Sequence, residues 1–244
     1  LLREFYIVTS KLVAEGASEI ASALVESIRY QGRKASRKGS EQRRQSILDA
    51  AMRIIVRDGV RAVRHRAVAA EAEVPLSATT YYFKDINDLI TDTFAQFVER
   101  SAASLERMWA ESEDDLQLMA AGMQGDEQMR RAIVDQIVER VLLHVRKQLE
   151  GNHDRLLAEQ ALRLEALNNP ALMELARTHQ QILSTGVAHF FEVLGSNQPQ
   201  ADAKMLTAIV LRMEYLGLLV GLENVDVEET RGILRRYLYL VTGL

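Results

Sequence analysis

The sequence predicts an all-α fold, and three observations support that prediction. Apolar residues recur at helical spacing along most of the 244-residue chain, and the helix-favouring Ala, Leu, Glu, Arg and Gln are abundant. Only three prolines are present. Asp58-Gly59 ends a helical pattern instead of joining two alternating runs, so no β-hairpin is indicated. We predict a three-helix region near the N-terminus, followed by a larger helical bundle.

Residues 1–32 are predicted to form an extension that contains one amphipathic helix. Apolar residues recur at helical spacing, and Thr9 or Ser10 could cap the start. These apolar residues are Val13, Ala17, Ile20, Leu24 and Ile28. The segment is too charged for a membrane span, and it lacks the long apolar core and cleavage pattern of a signal peptide. The sequence assigns it no function.

A basic block follows from Arg33 to Arg66, although the whole chain has a formal net charge of −4. The block holds eleven Lys or Arg residues and three acidic ones, which gives it a local charge of +8. A basic block on an acidic body indicates contact with a polyanion. Charge alone leaves a second interpretation open, namely a solvated basic tail.

Three helices are predicted within residues 33–86. The first begins after the N-cap Ser40 and ends before Gly59, a glycine of the kind that terminates helices. The second covers about His65–Ala72, and the third covers Leu76–Tyr82 after a turn that contains a proline. Two short helices joined by a tight turn and supported by a longer one form a helix-turn-helix unit, which can insert its last helix into the major groove of DNA.

The third helix has two faces. Leu76, Thr79 and Phe83 share the side that is predicted to pack on the other two helices. The outer face carries hydroxyls and an ammonium group, which bind phosphate oxygens or base edges. Its members are Ser77, Thr80, Tyr81 and Lys84, with Ala78 and Tyr82 at the flank. Arg66, at the start of the second helix, is predicted to reach the groove floor or the backbone.

The stretch AAEAEVPLSATTYYFKDINDLI resembles the DNA-binding signature of the tetracycline-repressor (TetR) family. The resemblance is specific over Arg43–Phe94 and architectural afterwards. The positions that it implies as DNA contacts are His65, Arg66, Ser77, Ala78, Thr80, Tyr81 and Tyr82. The chain departs from the family pattern at Glu73, where a turn glycine is usual, at Thr80, where a tyrosine is more usual, and at Ile86, where a lysine often meets a phosphate.

Basic residues ahead of and within the first helix extend the predicted DNA surface. Arg33, Lys34, Arg37 and Lys38 form an arm for which we predict backbone contact, with a solvated linker as the alternative. Arg43 and Arg44 are predicted to meet phosphate as well. Outside the helix-turn-helix positions, the predicted DNA contacts are therefore Arg37, Lys38, Arg44 and Lys84.

Residues 87–244 are predicted to form one helical domain for effector binding and dimerisation. A long helix starts near Asn87, and five further helices follow. These helices span Gln128–Leu149, Asp154–Leu167, Pro170–Leu194, Ala201–Leu222 and Val227–Val241. The segment Glu111–Asp126 is ambiguous, and a short helix of its own is one possibility.

The resemblance implies a homodimer through the last two helices, and the sequence gives partial support. Met205–Leu222 is apolar around most of its circumference and needs cover on more than one side. Gly217 and Gly221, four residues apart, would allow a close helix crossing, and Val227–Val241 carries one apolar stripe. We predict a four-helix interface from two copies of this pair. Burial inside a monomer is the alternative.

The resemblance also implies a small-molecule site between the helices of this domain. Candidate residues in apolar surroundings are Trp109, His144, Arg163, His179 and Tyr215. For each histidine, a satisfied core or surface position is the other interpretation. His179 and His189 lie ten residues apart, roughly 15 Å along a helix, which is too far to share a metal ion. We predict no metal and no cofactor.

No catalytic residue is predicted, because the chain has no H-E-x-x-H, Gly-rich phosphate loop, G-x-S-x-G motif or cysteine. We predict a cytoplasmic, ligand-responsive repressor, which binds a palindromic operator in double-stranded DNA as a dimer and is released by a small-molecule effector. An activating or effector-independent regulator is the alternative within this class. The alternative from another class is a helical interaction module whose basic patch binds a membrane or acidic partners.

Overall fold

The computed structural model of the protein describes residues 22–33 and 38–244, without the side chain of Lys38. Every regular element in these residues is a helix, so the all-α prediction is confirmed. The helix predicted in the N-terminal extension lies largely outside the described residues, and residues 22–26 are helical. No helix in the described part is long and apolar enough to cross a membrane.

The helices of the described residues follow the predicted order. They are α1 Lys38–Asp58, α2 His65–Glu71, α3 Leu76–Tyr82, α4 Ile86–Gly122, α5 Glu127–Gly151, α6 His153–Ala166, α7 Pro170–Val193, α8 Pro199–Val220 and α9 Val227–Thr242. Short 3-10 helices, Val60–Ala62 and Leu222–Asn224, follow α1 and α8. Most predicted boundaries agree with these bounds to within two residues.

Two features of the second half differ from prediction. The ambiguous segment Glu111–Asp126 is no separate helix, because α4 continues for 37 residues to Gly122. Gly221 does not take part in a helix crossing, because it has φ +84° and ends α8. Gly217 does allow a close approach, but within the chain, where a β-carbon would overlap the side chain of Leu149 on α5.

The chain divides into two compact units. Among the described residues, we call those in 24–103 and 154–180 the head unit, and those in 104–153 and 181–244 the bundle unit. Helices α4 and α7 each contribute residues to both units.

The head unit is organised around the inner faces of α1, α2 and α3. Ile47 and Leu48 of α1, Val68 of α2 and Phe83 after α3 are fully buried, as their helical spacing requires. The turn between α2 and α3 contains Glu73 with φ 53°, a left-handed conformation that favours glycine. Glu73 is the position at which the family pattern has a glycine, so the turn keeps its geometry without the residue that suits it.

The bundle unit packs α5 against α8 and α9. Aspartates cap two of these helices, since Asp126 accepts a hydrogen bond from the backbone N–H of Met129 at 2.8 Å and Asp226 caps α9 in the same way. Arg235 of α9 pairs with Asp135 of α5 at 2.8 Å on the exposed side of the contact. Such exposed pairs fix orientation and add little stability.

Candidate nucleic-acid interface

The outer face of α3 is the most exposed polar surface of the helix-turn-helix. Ser77, Thr80 and Tyr81 are exposed, and Tyr81 keeps 52% of its surface accessible. Lys84 is exposed just beyond the end of the helix. Hydroxyl and ammonium groups in this arrangement suit phosphate oxygens and base edges. Ala78, at the flank, is partly exposed.

The inner face of α3 holds the helix in place. Thr79 and Phe83 are fully buried, as the spacing predicted, and the Thr79 hydroxyl donates to the carbonyl of Leu76 at 2.9 Å. Leu76 was predicted to pack inward, but 44% of it is exposed, because it occupies the first turn of α3, directly after Pro75. Its exposed side chain adds an apolar group at the start of the recognition helix.

Helix α2 begins at the predicted contact residues His65 and Arg66. Arg66 is exposed, and His65 is partly exposed, with its Nδ1 buried and without a hydrogen-bond partner. The other end of α2 is fixed by Glu71, which pairs with Arg53 at 2.8 Å and with Arg57 at 3.1 Å. Hydrogen bonds from both arginines lower the pKa of Glu71 below its ordinary value. These ion pairs join the end of α2 to α1.

Tyr82 was predicted to offer its phenol to phosphate, and the structure contradicts this. The residue is 5% exposed, and its hydroxyl lies 2.7 Å from the hydroxyl of Ser40 and donates to the Ser40 carbonyl at 3.1 Å. Tyr82 is buried because the start of α1 lies over it. It joins the end of the recognition helix to the beginning of α1.

Arg44 was also predicted to meet phosphate, and this prediction is wrong. Arg44 is only 6% exposed, and its guanidinium donates to the carboxylate of Asp92 on α4 at 2.6 Å. The guanidinium also lies over the ring of Tyr30, with 4.8 Å to the centroid, and over Phe83. The neighbouring Arg43 points outward and is exposed.

Asp92 is a buried carboxylate beside the helix-turn-helix that the sequence prediction missed. It is fully buried and accepts hydrogen bonds from the backbone N–H of Gln31 at 2.6 Å and of Gly32 at 2.9 Å, in addition to Arg44. Burial raises its pKa, while these three donors act in the opposite direction. The available signal was an acidic residue between Ile90 and Phe94, inside the most apolar stretch of α4.

Two predicted DNA contacts are not described in full. Arg37 lies outside the described residues, as does the side chain of Lys38. Arg33, at the end of the described part of the extension, is exposed. Its guanidinium lies over the ring of Tyr81 with 4.4 Å to the centroid.

The five predicted effector residues fall into different units. Arg163 and His179 belong to the head unit, whereas Trp109, His144 and Tyr215 belong to the bundle unit. Tyr215 is half exposed on α8 among other exposed apolar residues, so its own chain does not enclose it. His144 is partly exposed on α5.

His179 forms a buried polar cluster with α4. Its Nε2 lies 2.9 Å from the hydroxyl of Ser101, and its ring lies against Phe97 with 5.3 Å between centroids. Burial lowers the pKa of His179 to about 4, so the imidazole is neutral. The nearby Glu159 is also buried and pairs with Arg163 at 2.8 Å.

Trp109 of α4 faces α7 within the bundle unit. A β-carbon at Gly186 would overlap the indole, so the glycine makes room for the ring. One turn further along each helix, His189 Nε2 lies 3.3 Å from a carboxylate oxygen of Glu113, and the buried His189 Nδ1 has no partner. An indole, a carboxylate and an unpaired imidazole nitrogen thus occur on facing surfaces of two helices.

A separate cavity of about 430 Å³ lies elsewhere in the bundle unit. Its lining includes Arg130, Phe191, Asn197 and Thr242, and none of the predicted effector residues. The guanidinium of Arg130 donates to the carbonyl of Thr242 there.

Comparisons with known proteins agree with this geometry. Residues 130–239 match the family profile described as Tetracyclin repressor-like, C-terminal domain. The chain is also 28% identical over 178 residues to the HTH-type nicotine-responsive transcriptional repressor HdnoR of Paenarthrobacter nicotinovorans, a match that covers 72% of this chain and 82% of that protein. The chain is thus similar to TetR-type regulators over most of its length.

Solved TetR-family structures are similar over most of the chain. A TetR family member from Streptomyces coelicolor A3 is 28% identical, with a TM-score of 0.54, and the match covers 80% of this chain and 98% of that one. The multidrug binding protein EbrR, solved in complex with ethidium, is 27% identical, with a TM-score of 0.56 and the same coverage of both chains. The chain therefore has the architecture of a TetR-type transcriptional regulator, with a helix-turn-helix and a helical C-terminal domain.

Proposed function

We propose that this protein is a TetR family repressor, which binds a palindromic operator as a homodimer and leaves the operator when a small-molecule effector binds. The observation that carries the proposal is the exposed outer face of α3, which presents Ser77, Thr80 and Tyr81, together with the exposure of Arg66 on α2. An arginine can make a bidentate contact to guanine, which is the commonest specific contact to a base. A membrane-binding face would instead carry large apolar residues at these positions.

Dimerisation is supported by apolar side chains that α8 and α9 leave exposed. These residues are Met205, Tyr215, Leu219, Val220, Val227, Ile233 and Leu240. A patch of this kind marks an interaction surface, and two copies of a helix pair can form a four-helix interface. We propose a homodimer through Met205–Leu222 and Val227–Val241. Its two recognition helices would then read half-sites about one helical turn of DNA, roughly 34 Å, apart.

For the effector, we propose an organic cation that contains an aromatic ring. HdnoR is named as nicotine-responsive, and EbrR was solved with ethidium. In this chain, Trp109, Glu113 and His189 supply an aromatic surface, a carboxylate and an unpaired ring nitrogen on facing parts of α4 and α7. An indole and a carboxylate suit an aromatic cation. The effector lowers DNA affinity only as far as it prefers the state that does not bind DNA.

The DNA part of the proposal is tested by selection from a random duplex library at moderate salt, followed by sequencing. We expect an enriched palindrome. Arg66→Ala should weaken binding to that palindrome by about 1–3 kcal/mol and relax selection at one position. Salt-sensitive binding without any enriched sequence would refute the repressor proposal and favour a basic patch for acidic or membrane partners.

The effector part is tested with the fluorescence of Trp109, the single tryptophan of the chain. Titration with nicotine or ethidium should quench it, and the same compounds should release the enriched duplex. Glu113→Gln should weaken both effects, whereas Glu111→Gln, an exposed change two residues earlier on α4, should not. Quenching that survives Glu113→Gln unchanged would exclude this carboxylate from the site.

A further inference from the structure

The end of the N-terminal extension is built into the helix-turn-helix. We call Tyr30–Arg33 the clasp. The backbone N–H groups of Gln31 and Gly32 donate to the buried carboxylate of Asp92, at 2.6 and 2.9 Å. The phenol of Tyr30 donates to the carboxylate of Glu99 at 2.7 Å, and Glu99 lies about two helical turns after Asp92 on α4. Two backbone donors and one side chain therefore fix the clasp to α4.

Gly32 makes the close approach of the clasp possible. A β-carbon at this position would lie 2.5 Å from the ring of Phe83 and 2.9 Å from the Asp92 carboxylate. Only glycine therefore fits at this position without displacing the clasp or the ring. Tyr30 also contacts the ion pair of Arg44 and Asp92, since the Arg44 guanidinium lies over the Tyr30 ring.

The clasp ends on the recognition helix. The backbone N–H of Arg33 donates to the carbonyl of Tyr82 at 2.8 Å, which satisfies a carbonyl that the end of α3 would otherwise leave free. The Arg33 guanidinium then lies over the exposed ring of Tyr81, 4.4 Å from its centroid. A cation is thus held beside the outer face of α3 although it comes from outside the helix-turn-helix.

We infer that the clasp positions Arg33 for the backbone contact predicted from the sequence: Asp92 and Gly32 hold the clasp, and Arg33 binds the phosphate backbone beside the half-site read by α3. The inference rests on the proposed operator binding. An exposed guanidinium stacked on a recognition-helix tyrosine keeps its N–H donors free for phosphate oxygens. Its contact is independent of sequence and strongly dependent on salt.

The test measures Kd for the enriched duplex by fluorescence anisotropy across a range of salt concentrations. Arg33→Gln should bind about tenfold more weakly at low salt and should reduce the slope of log Kd against log salt by about one for each bound head. Arg29→Gln is the matched control, because Arg29 is an exposed arginine four residues earlier. It should bind as the unaltered protein does. If Arg33→Gln also binds as the unaltered protein does, the inference is overturned.

A second pair of variants tests the clasp without changing charge. Gly32→Ala should reproduce the loss and the reduced salt slope of Arg33→Gln, and the double variant should lose no more than either single one. Gly39→Ala is the control, since a β-carbon there meets nothing within 4 Å. The clasp does not position Arg33 if the losses of DNA affinity from Gly32→Ala and Arg33→Gln add in the double variant. The same conclusion follows if Gly39→Ala weakens binding as much as Gly32→Ala does. Failure of the unaltered protein to select any operator would refute the proposed function instead.

Discussion

The buried part of α4 carries two polar clusters that differ in how they meet the cost of burial. Asp92 keeps its carboxylate beside the guanidinium of Arg44 and two backbone N–H groups. His179 meets the same helix nine residues later, at Ser101, where burial lowers its pKa to about 4 and leaves it neutral. The Asp92 carboxylate is thus paired with a cation, whereas the His179 imidazole is uncharged.

The difference has a structural consequence for each cluster. The Asp92 cluster joins three parts of the chain, namely the clasp, α1 and α4, through an arginine–carboxylate hydrogen bond and backbone N–H donors. The His179 cluster joins α4 to α7 through a neutral pair whose state depends on pH. Protonation of His179 in acid therefore weakens the contact of α4 with α7.

The largest effect is expected from Arg44→Met, which keeps most of the side-chain volume and leaves the buried Asp92 carboxylate without its cation. Breaking one side of a buried pair destabilises a protein by about 3–5 kcal/mol. Urea unfolding should show a loss of this size. The adjacent Arg43→Met, at an exposed position, should change the free energy of unfolding by less than about 0.5 kcal/mol. Equal losses in both variants would contradict a special role for the Asp92 cluster.

The second-largest effect is expected on the pH dependence of the free energy of unfolding, because of His179. Its folded-state pKa lies below the ordinary value of 6.5, so the neutral form is favoured by folding. The contribution of His179 to the free energy of unfolding is therefore complete above about pH 6.5. It is lost as the pH falls towards 4, and the loss is about 3 kcal/mol. Unfolding of the protein and of His179→Gln between pH 7 and pH 4 measures it. The unaltered protein should lose the larger stability, and parallel curves would contradict the assignment.

The helices could be predicted from the sequence because their signals are local. Gly59, Pro75 and the spacing of apolar residues lie within the elements that they define, and α1, α2 and α3 occur where these signals place them. The exposed residues Ser77, Thr80 and Tyr81 follow from the same periodicity.

The errors arose where burial depends on distant parts of the chain. Arg44 and Tyr82 have the composition of DNA-contacting residues, but each is covered by a partner 48 or 42 residues away, Asp92 and Ser40 respectively. Spacing on a single helix does not reveal such a partner. The attachment of the clasp to Asp92 had no sequence signal, because backbone N–H groups at Gln31 and Gly32 make these hydrogen bonds.

Tyr82→Phe tests whether a neutral hydrogen bond stabilises the head unit as the charged cluster does. The change removes the hydroxyl that bonds to Ser40 and should destabilise the protein by about 1 kcal/mol. Tyr81→Phe, on the exposed neighbour, should leave the free energy of unfolding unchanged. If Tyr81→Phe destabilises as much as Tyr82→Phe, the buried hydroxyl is not the cause.

The smallest effect is expected from the backbone strain at Glu73, which involves no buried polar group. Glu73 has φ 53°, a conformation that a β-carbon disfavours by about 1 kcal/mol, so Glu73→Gly should raise the free energy of unfolding by up to that amount. Glu73→Ala is the matched control, because it removes the carboxylate and keeps the β-carbon, and it should give no gain. Urea unfolding of both variants distinguishes the two causes. If both variants gain the same stability, the carboxylate of Glu73 is the cause, and the φ angle of the turn is not strained.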